Sequence, residues 1–154
     1  MPTNLPETNL AARVVNKMLE KDTFGRWLNP EILKMEAGYC LMTLKVRDEF
    51  LNGVGILHGG IVFGIADVAF AYASNSHNRV AVALDVSISF PNAGHVGDTL
   101  TIEANETYLG DKTAIYQIRV TNQHDKLLGL FTGTVYRMHK KYFEEDVYGE
   151  TMHD

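Results

Sequence analysis

The stretch His58-Gly-Gly-Ile-Val-Phe-Gly-Ile-Ala-Asp67-Val-Ala-Phe-Ala-Tyr-Ala73 constrains this chain more than any other. It reads as a helix that is apolar nearly all round, and such a helix belongs in a protein interior. Its small residues (Gly64, Ala66, Ala69, Ala71 and Ala73) let other backbones approach closely. Asp67 is its one carboxylate, with no basic neighbour on the helix. Burying an unpartnered charge costs several kcal/mol unless something offsets it, so Asp67 is the first functional suspect, as a general base or nucleophile in a desolvated cleft. A carboxylate bonded to nearby backbone, or lying on a solvent-facing stripe, is the structural alternative.

The other end of the helix is suggestive for a different reason. Gly59 and Gly60 leave their N–H groups unobstructed at a helix N-terminus, where several donors lack intrahelical partners. Such a place binds anions or stabilises an oxyanion; equally, His58 caps the helix and the glycines allow close packing. Gly59 and Asp67 are eight residues apart, so about 12 Å along the axis. A reacting carbonyl must lie near 3 Å from each group that acts on it. Either the two residues serve separate functions, or a site combines Gly59 of one chain with Asp67 of another, which requires a dimer with two symmetric sites.

Around this helix the chain reads in order. Residues 1–8 are polar with two prolines and are expected to be loosely ordered. Asn9 to Lys21 has a helical apolar face of Leu10, Val14 and Met18, with Val15 and Leu19 beside it, and Thr8 or Asn9 as cap. Thr23 to Pro30 is a compact turn or short helix. Strands follow over Ile32–Glu36 and Tyr39–Val46; in the second, Cys40, Met42, Leu44 and Val46 face one way. Asn52 to Leu57 is a loop into the central helix, which fades at Ser74–Asn78. Four strands then run from Val80 to Phe90, from Gly97-Asp98 to Leu109, from Thr113 to Thr121 and from Leu127 to Met138, with Gly110-Asp111-Lys112 as a hairpin turn. Gly129 and Gly133 suggest a bend in the last. This order predicts an α+β fold, a curved antiparallel sheet wrapped around one helix. Three units are expected: an N-terminal helical segment over 1–30, the sheet-and-helix domain over 31–138, and an acidic tail over 139–154.

Bulk properties narrow the function. A net charge of −5 argues against nucleic acid as a general partner. The segment from His139 to Asp154 holds five acids and two lysines, hence −3 of that total. No apolar run is long enough for a membrane span, no signal-peptide pattern opens the chain, and one cysteine excludes an internal disulfide framework; cytoplasm is the expected location. The histidines show no metal-ligand spacing, and neither a metal nor a cofactor is expected. Cys40 falls on an apolar strand face and reads as core.

Asn52-Gly-Val-Gly-Ile-Leu-His58-Gly59-Gly60, followed by Ala66-Asp67 and Ala69-Phe-Ala-Tyr-Ala73, resembles the signature of the PaaI-like hotdog-fold acyl-CoA thioesterases, as do Val82–Phe90 and Gly97-Asp98. The likeness covers roughly residues 30 to 138. It implies a hotdog fold and hydrolysis of an acyl-CoA thioester to a free acid and coenzyme A. In the family pattern the Gly59 N–H, helped by Asn52, polarises the thioester carbonyl, while Asp67 of the facing subunit activates water or attacks directly. His58 then orients the loop or leaving group. Gly60, Ala83, Phe63 and Phe70 are the implied substrate-contact positions, although on the residues alone core is the favoured reading for Phe63 and Phe70. The partners implied are acyl-CoA and a second copy of the chain, as a homodimer at least and commonly a homotetramer.

Two departures stand out. Some family members carry a Ser or Thr that positions the water where this chain has Ala83, and the basic residue before proline after the strand aromatic is replaced by Pro91-Asn92-Ala93. Candidates for the nucleotide phosphates are therefore Arg79, Lys112, Arg119 and Arg137, unranked. A non-catalytic acyl-CoA sensor is the main alternative function, and a hotdog dehydratase or hydratase the third.

Overall fold

A computed structural model describes residues 5–144. The expectations for residues 1–4 and for most of the acidic tail, 145–154, lie outside the described residues. The elements run α1 (Leu10–Leu19), α2 (Thr23–Leu28), β1 (Glu31–Glu36), β2 (Tyr39–Lys45), a 3-10 turn (Asp48–Phe50), α3 (Gly59–Asn75), β3 (Ala81–Ser89), β4 (Thr99–Leu109), β5 (Thr113–Thr121) and β6 (Leu127–Arg137). The six strands form one antiparallel sheet in the order β1-β2-β4-β5-β6-β3. α3 packs against five of them, β2 to β6, so the sheet curls around the helix as a hotdog fold.

The alternating patterns decide which strand face is inside. Cys40, Met42 and Leu44 of β2, Leu100, Ile102 and Ala104 of β4, and Ala114, Tyr116, Ile118 and Val120 of β5 are all buried. They meet Ile65, Ala66, Ala69, Phe70 and Ala73 of α3 in one core. Burial raises the Cys40 thiol pKa, which fits an inert core residue rather than a nucleophile.

Gly129 and Gly133 divide over the expected bend. Neither has a positive φ; the β5–β6 register runs unbroken past Gly133 but shifts beside Gly129, between the Val120–Gly129 and Thr121–Leu127 pairs. Both glycines make room for α3: a Cβ on Gly133 would lie 2.6 Å from Phe70 Cζ, and one on Gly129 2.6 Å from Val62 Cγ1. Gly133→Ala should therefore destabilise the fold by about 1–3 kcal/mol, the usual range for overpacking a tight core. Denaturant unfolding checks this; an unchanged midpoint would mean that α3 lies farther from the sheet.

The N-terminal helices dock on the same core. Asn9 caps α1, its Oδ1 accepting from the Ala12 N–H at 2.8 Å while its Nδ2 donates to the Met35 carbonyl at 2.9 Å. α1 buries Ala11, Ala12, Val14, Val15 and Leu19, whereas Leu10 and Met18 are only half-buried. The contact stripe thus lies round from the Leu10–Val14–Met18 line, because two alanines allow closer approach to α3 and β1. α2 is capped by Asp22, whose Oδ1 accepts from the Gly25 N–H at 2.9 Å. Phe24 of α2 lies over α3 at Gly64, where a Cβ would come within 2.8 Å of the ring.

Candidate active site

The loop before α3 is built by Asn52. Its Oδ1 accepts from the N–H groups of Val54 (3.0 Å) and Ile56 (3.2 Å), and the Asn52 N–H donates to the Ile56 carbonyl at 2.8 Å. Two donors on one oxygen fix the orientation of the amide. Nδ2 is left as a donor, and among the described residues it makes no bond within the chain.

His58 caps α3. Its Nδ1 accepts from the Gly60 N–H at 2.8 Å, so the ring in this bond is the tautomer with its proton on Nε2. Gly60 is thereby spent as a donor, which the glycine pair alone did not reveal. Ile61 and Val62 both donate back to the His58 carbonyl. The Gly59 N–H, by contrast, meets no acceptor among the described residues. Phe90 lies against Gly59; a Cβ there would meet the ring at 3.5 Å, an ordinary contact.

These pieces surround a cleft of about 300 Å³, lined by Asn52, Gly59 and Val62 on one side and by Phe90, Asn92 and Gly94 on the other. The second wall is held by the Leu57 N–H donating to the Gly94 carbonyl (2.9 Å) and Asn92 Nδ2 donating to the Leu127 carbonyl (2.9 Å). Two unassigned donors, the Gly59 N–H and Asn52 Nδ2, therefore belong to one concavity, which is what an oxyanion site requires.

Asp67 is not a lining residue of that cleft. Its place is a half-buried stripe along α3 that also carries Phe63 and Ala71, while the other residues from Val62 to Asn75 are buried. The solvent-facing alternative thus describes part of its setting in a single chain. Its carboxyl is pushed above the usual carboxylate range, first by burial and then by the negative charge of Asp22. Asp22 was not among the residues read as functional, although an Asp before Thr-Phe-Gly is a recognisable cap signal. Its Oδ2 accepts from the Tyr72 hydroxyl at 2.6 Å, tying α2 to α3; burial, then that bond, raises the Tyr72 pKa.

The remaining expected positions divide. Ala83 is exposed on β3, paired with Val135 of β6, and is not a lining residue of the cleft. Phe70 is a core residue, packed on Tyr116 and Phe131, so in the single chain it has no surface to offer a ligand. Phe63 is half-buried and meets Phe131. Of the four phosphate candidates, Arg137 is buried and donates to the Gly110 carbonyl at 2.7 Å. Arg79 donates to the carbonyls of Met138 (2.9 Å) and Asp111 (3.0 Å), so both arginines hold loops. Lys112 and Arg119 are exposed side chains.

The family model for the thioesterase superfamily matches residues 54–128, which include the α3 start, Asp67 and β3. The chain is 41% identical to a putative esterase of Archaeoglobus fulgidus, over 88% of this chain and 88% of that protein. It is 40% identical to the acyl-coenzyme A thioesterase PaaI of Escherichia coli, over 79% of this chain and 86% of that one. The chain belongs to the PaaI-like hotdog thioesterases. The solved structure of the E. coli PaaI protein from the phenylacetic acid degradation operon superimposes with a TM-score of 0.82 at 37% identity, covering 85% of this chain and 95% of that chain. In this PaaI-like chain the two stretches that first drew attention, Asn52–Gly60 and Asp67, flank a cleft and occupy a half-exposed stripe on the same helix. Among the described residues no helix is long and apolar enough to cross a membrane.

Proposed function

We propose that the protein hydrolyses an acyl-CoA thioester, in a site shared between two copies of the chain. The observation that carries the reading is the separation of the donors from the acid. Asn52 and Gly59, each with a donor that has no partner among the described residues, line one cleft without Asp67, and about 12 Å of helix divides Gly59 from Asp67. A two-fold dimer that lays one α3 antiparallel to another brings each Gly59 to the partner's Asp67.

The edge of the sheet supports such a pairing. Among the described residues β3 pairs with one strand, β6, and lies at the edge of the sheet. It also exposes Val82 (47%) and Leu84 (59%), and an open apolar edge is a template for another strand.

In this arrangement the thioester carbonyl oxygen accepts from the Gly59 N–H and Asn52 Nδ2. The partner's Asp67 takes a proton from water as the water oxygen bonds to the carbonyl carbon. The tetrahedral oxyanion then collapses, the C–S bond breaks, and the proton passes to the departing thiolate. A raised carboxyl pKa suits a base, and the two donors stabilise charge that exists only near the transition state. His58 contributes by fixing the helix start. The test is a panel of short, medium and aryl acyl-CoA esters with detection of free thiol. Turnover of at least one is expected; binding of CoA esters with no thiol release from any would favour a sensor instead.

A further inference from the structure

The geometry points to a phosphate-binding groove for the nucleotide end of the thioester, built by Lys17 and Lys21 of the α1 end and by Lys140 and Lys141 after β6. The inference rests on the thioesterase reading and assigns the part of the substrate which that reading leaves unplaced. A groove of about 460 Å³ lies between these two segments, 120 residues apart in sequence, and both fall outside the part of the chain matched by the family model. Its volume is within the ordinary range for a small-molecule site.

The groove's charge is the first argument. Four lysines and two acids, Glu20 and Asp22, line it, leaving it at +2 in a protein whose total is −5. Local field, not total charge, decides where an anion settles. Asp22 is already engaged by the Gly25 N–H and the Tyr72 hydroxyl. Lys17 is partly engaged too, donating to the Tyr142 carbonyl at 3.2 Å and lying over the Phe143 ring. Among the described residues the ammonium groups of Lys21, Lys140 and Lys141 pair with no carboxylate. Three free cations around one concavity match a ligand carrying several phosphate charges.

The walls are the second argument. Met18, Val80 and Tyr142 give the groove an apolar side against which a base can lie. That side is fixed: the Tyr142 hydroxyl donates to Asn75 Oδ1 at 2.6 Å, and the Val80 N–H donates to the Lys140 carbonyl at 2.8 Å.

Asp22 lines the groove and meets α3 at Tyr72, five residues or about 7.5 Å along the axis from Asp67. The flexible pantetheine arm between a thioester sulfur and its nucleotide spans such a gap. Arg79 and Arg137 are committed to loop carbonyls, and Lys112 and Arg119 are exposed side chains that line no part of this groove.

The experiment compares the wild-type chain with a Lys21→Glu/Lys140→Glu variant on three esters of one acyl group: acyl-CoA, acyl-dephospho-CoA and acyl-pantetheine. Both lysines are exposed, so the fold should survive; circular dichroism confirms it. The expected result is a KM for acyl-CoA raised tenfold or more, a smaller rise for acyl-dephospho-CoA, no change for acyl-pantetheine, and kcat within twofold throughout. An unchanged KM for acyl-CoA, or an equal rise for all three esters, overturns the groove. If the wild type hydrolyses none of them, the thioesterase reading fails on its own. CoA titrated by calorimetry then still tests the groove, which requires weaker binding to the variant and is contradicted by equal binding.

Discussion

Replacing Asp67 by Asn should lower kcat/KM for an acyl-CoA ester by about 10²–10⁴-fold, the range usual for loss of a general base. The substitution keeps size and removes only the ionisable oxygen, and the half-buried setting tolerates a neutral amide. Stability should hold or rise, because a carboxyl whose pKa is raised in the folded state is one whose charged form folding disfavours. The loss should therefore appear in kcat with a folded dimer, and steady-state kinetics beside a thermal melt separate the two. Equal turnover in mutant and wild type across a full ester panel would remove Asp67 from the chemistry.

The same carboxyl makes a pH prediction. The base must be ionised, so kcat/KM falls as pH drops through the Asp67 pKa. Burial, then the charge of Asp22, holds that pKa up. Asp22→Asn removes the second cause and keeps one oxygen to cap α2, while its NH2 replaces Oδ2 and can donate to the Tyr72 hydroxyl oxygen. The acidic limb should move to lower pH, and a limb moving upward would contradict the assignment.

A pair of lysines on the open sheet edge, Val82→Lys with Leu84→Lys, should have a comparably large effect without touching either half-site. Both side chains are exposed in the single chain, so the monomer fold loses little. In a two-fold pairing of β3 with its copy, four added positive charges face each other across one ladder, and like charges juxtaposed in an interface cost several kcal/mol. Sedimentation should show monomers, and kcat/KM should fall about 100-fold or more, since neither donor cleft then meets a carboxylate. A variant that stays dimeric and active would place the interface elsewhere on the chain.

Much of the fold was legible because its signals are local. Alternation in β2 marked the buried face residue by residue, and Asn9, Gly110 and Pro30 marked ends that the structure respects. The roles of the glycines were less legible. Gly129 and Gly133 look like bend residues in a strand, and only the approach of Val62 and Phe70 from α3 shows that they are clearances.

The site divided along the same line. Asn52, His58 and Gly59 lie within eight positions and could be read together, whereas the capture of the Gly60 N–H by His58 depends on a ring orientation that no spacing encodes. Asp22 and the lysine groove join segments 50 and about 120 residues apart, and contacts of that range leave no periodicity behind. Phe70 was open to two readings, pocket wall or core, and its phase on α3 places it in the core of the single chain.

The central claim is that each active site takes its donors from one chain and its acid from another. Mixed dimers of Asn52→Ala and Asp67→Asn chains test it most directly, because a mixed dimer rebuilds one intact site from the unaltered halves of each chain. If subunits exchange freely in an equal mixture, half the dimers are mixed and activity should recover to about a quarter of wild type, although each variant alone is nearly inactive. Activity that stays at the level of the separate variants, with mixed dimers demonstrated by mass spectrometry, would contradict a site shared between subunits.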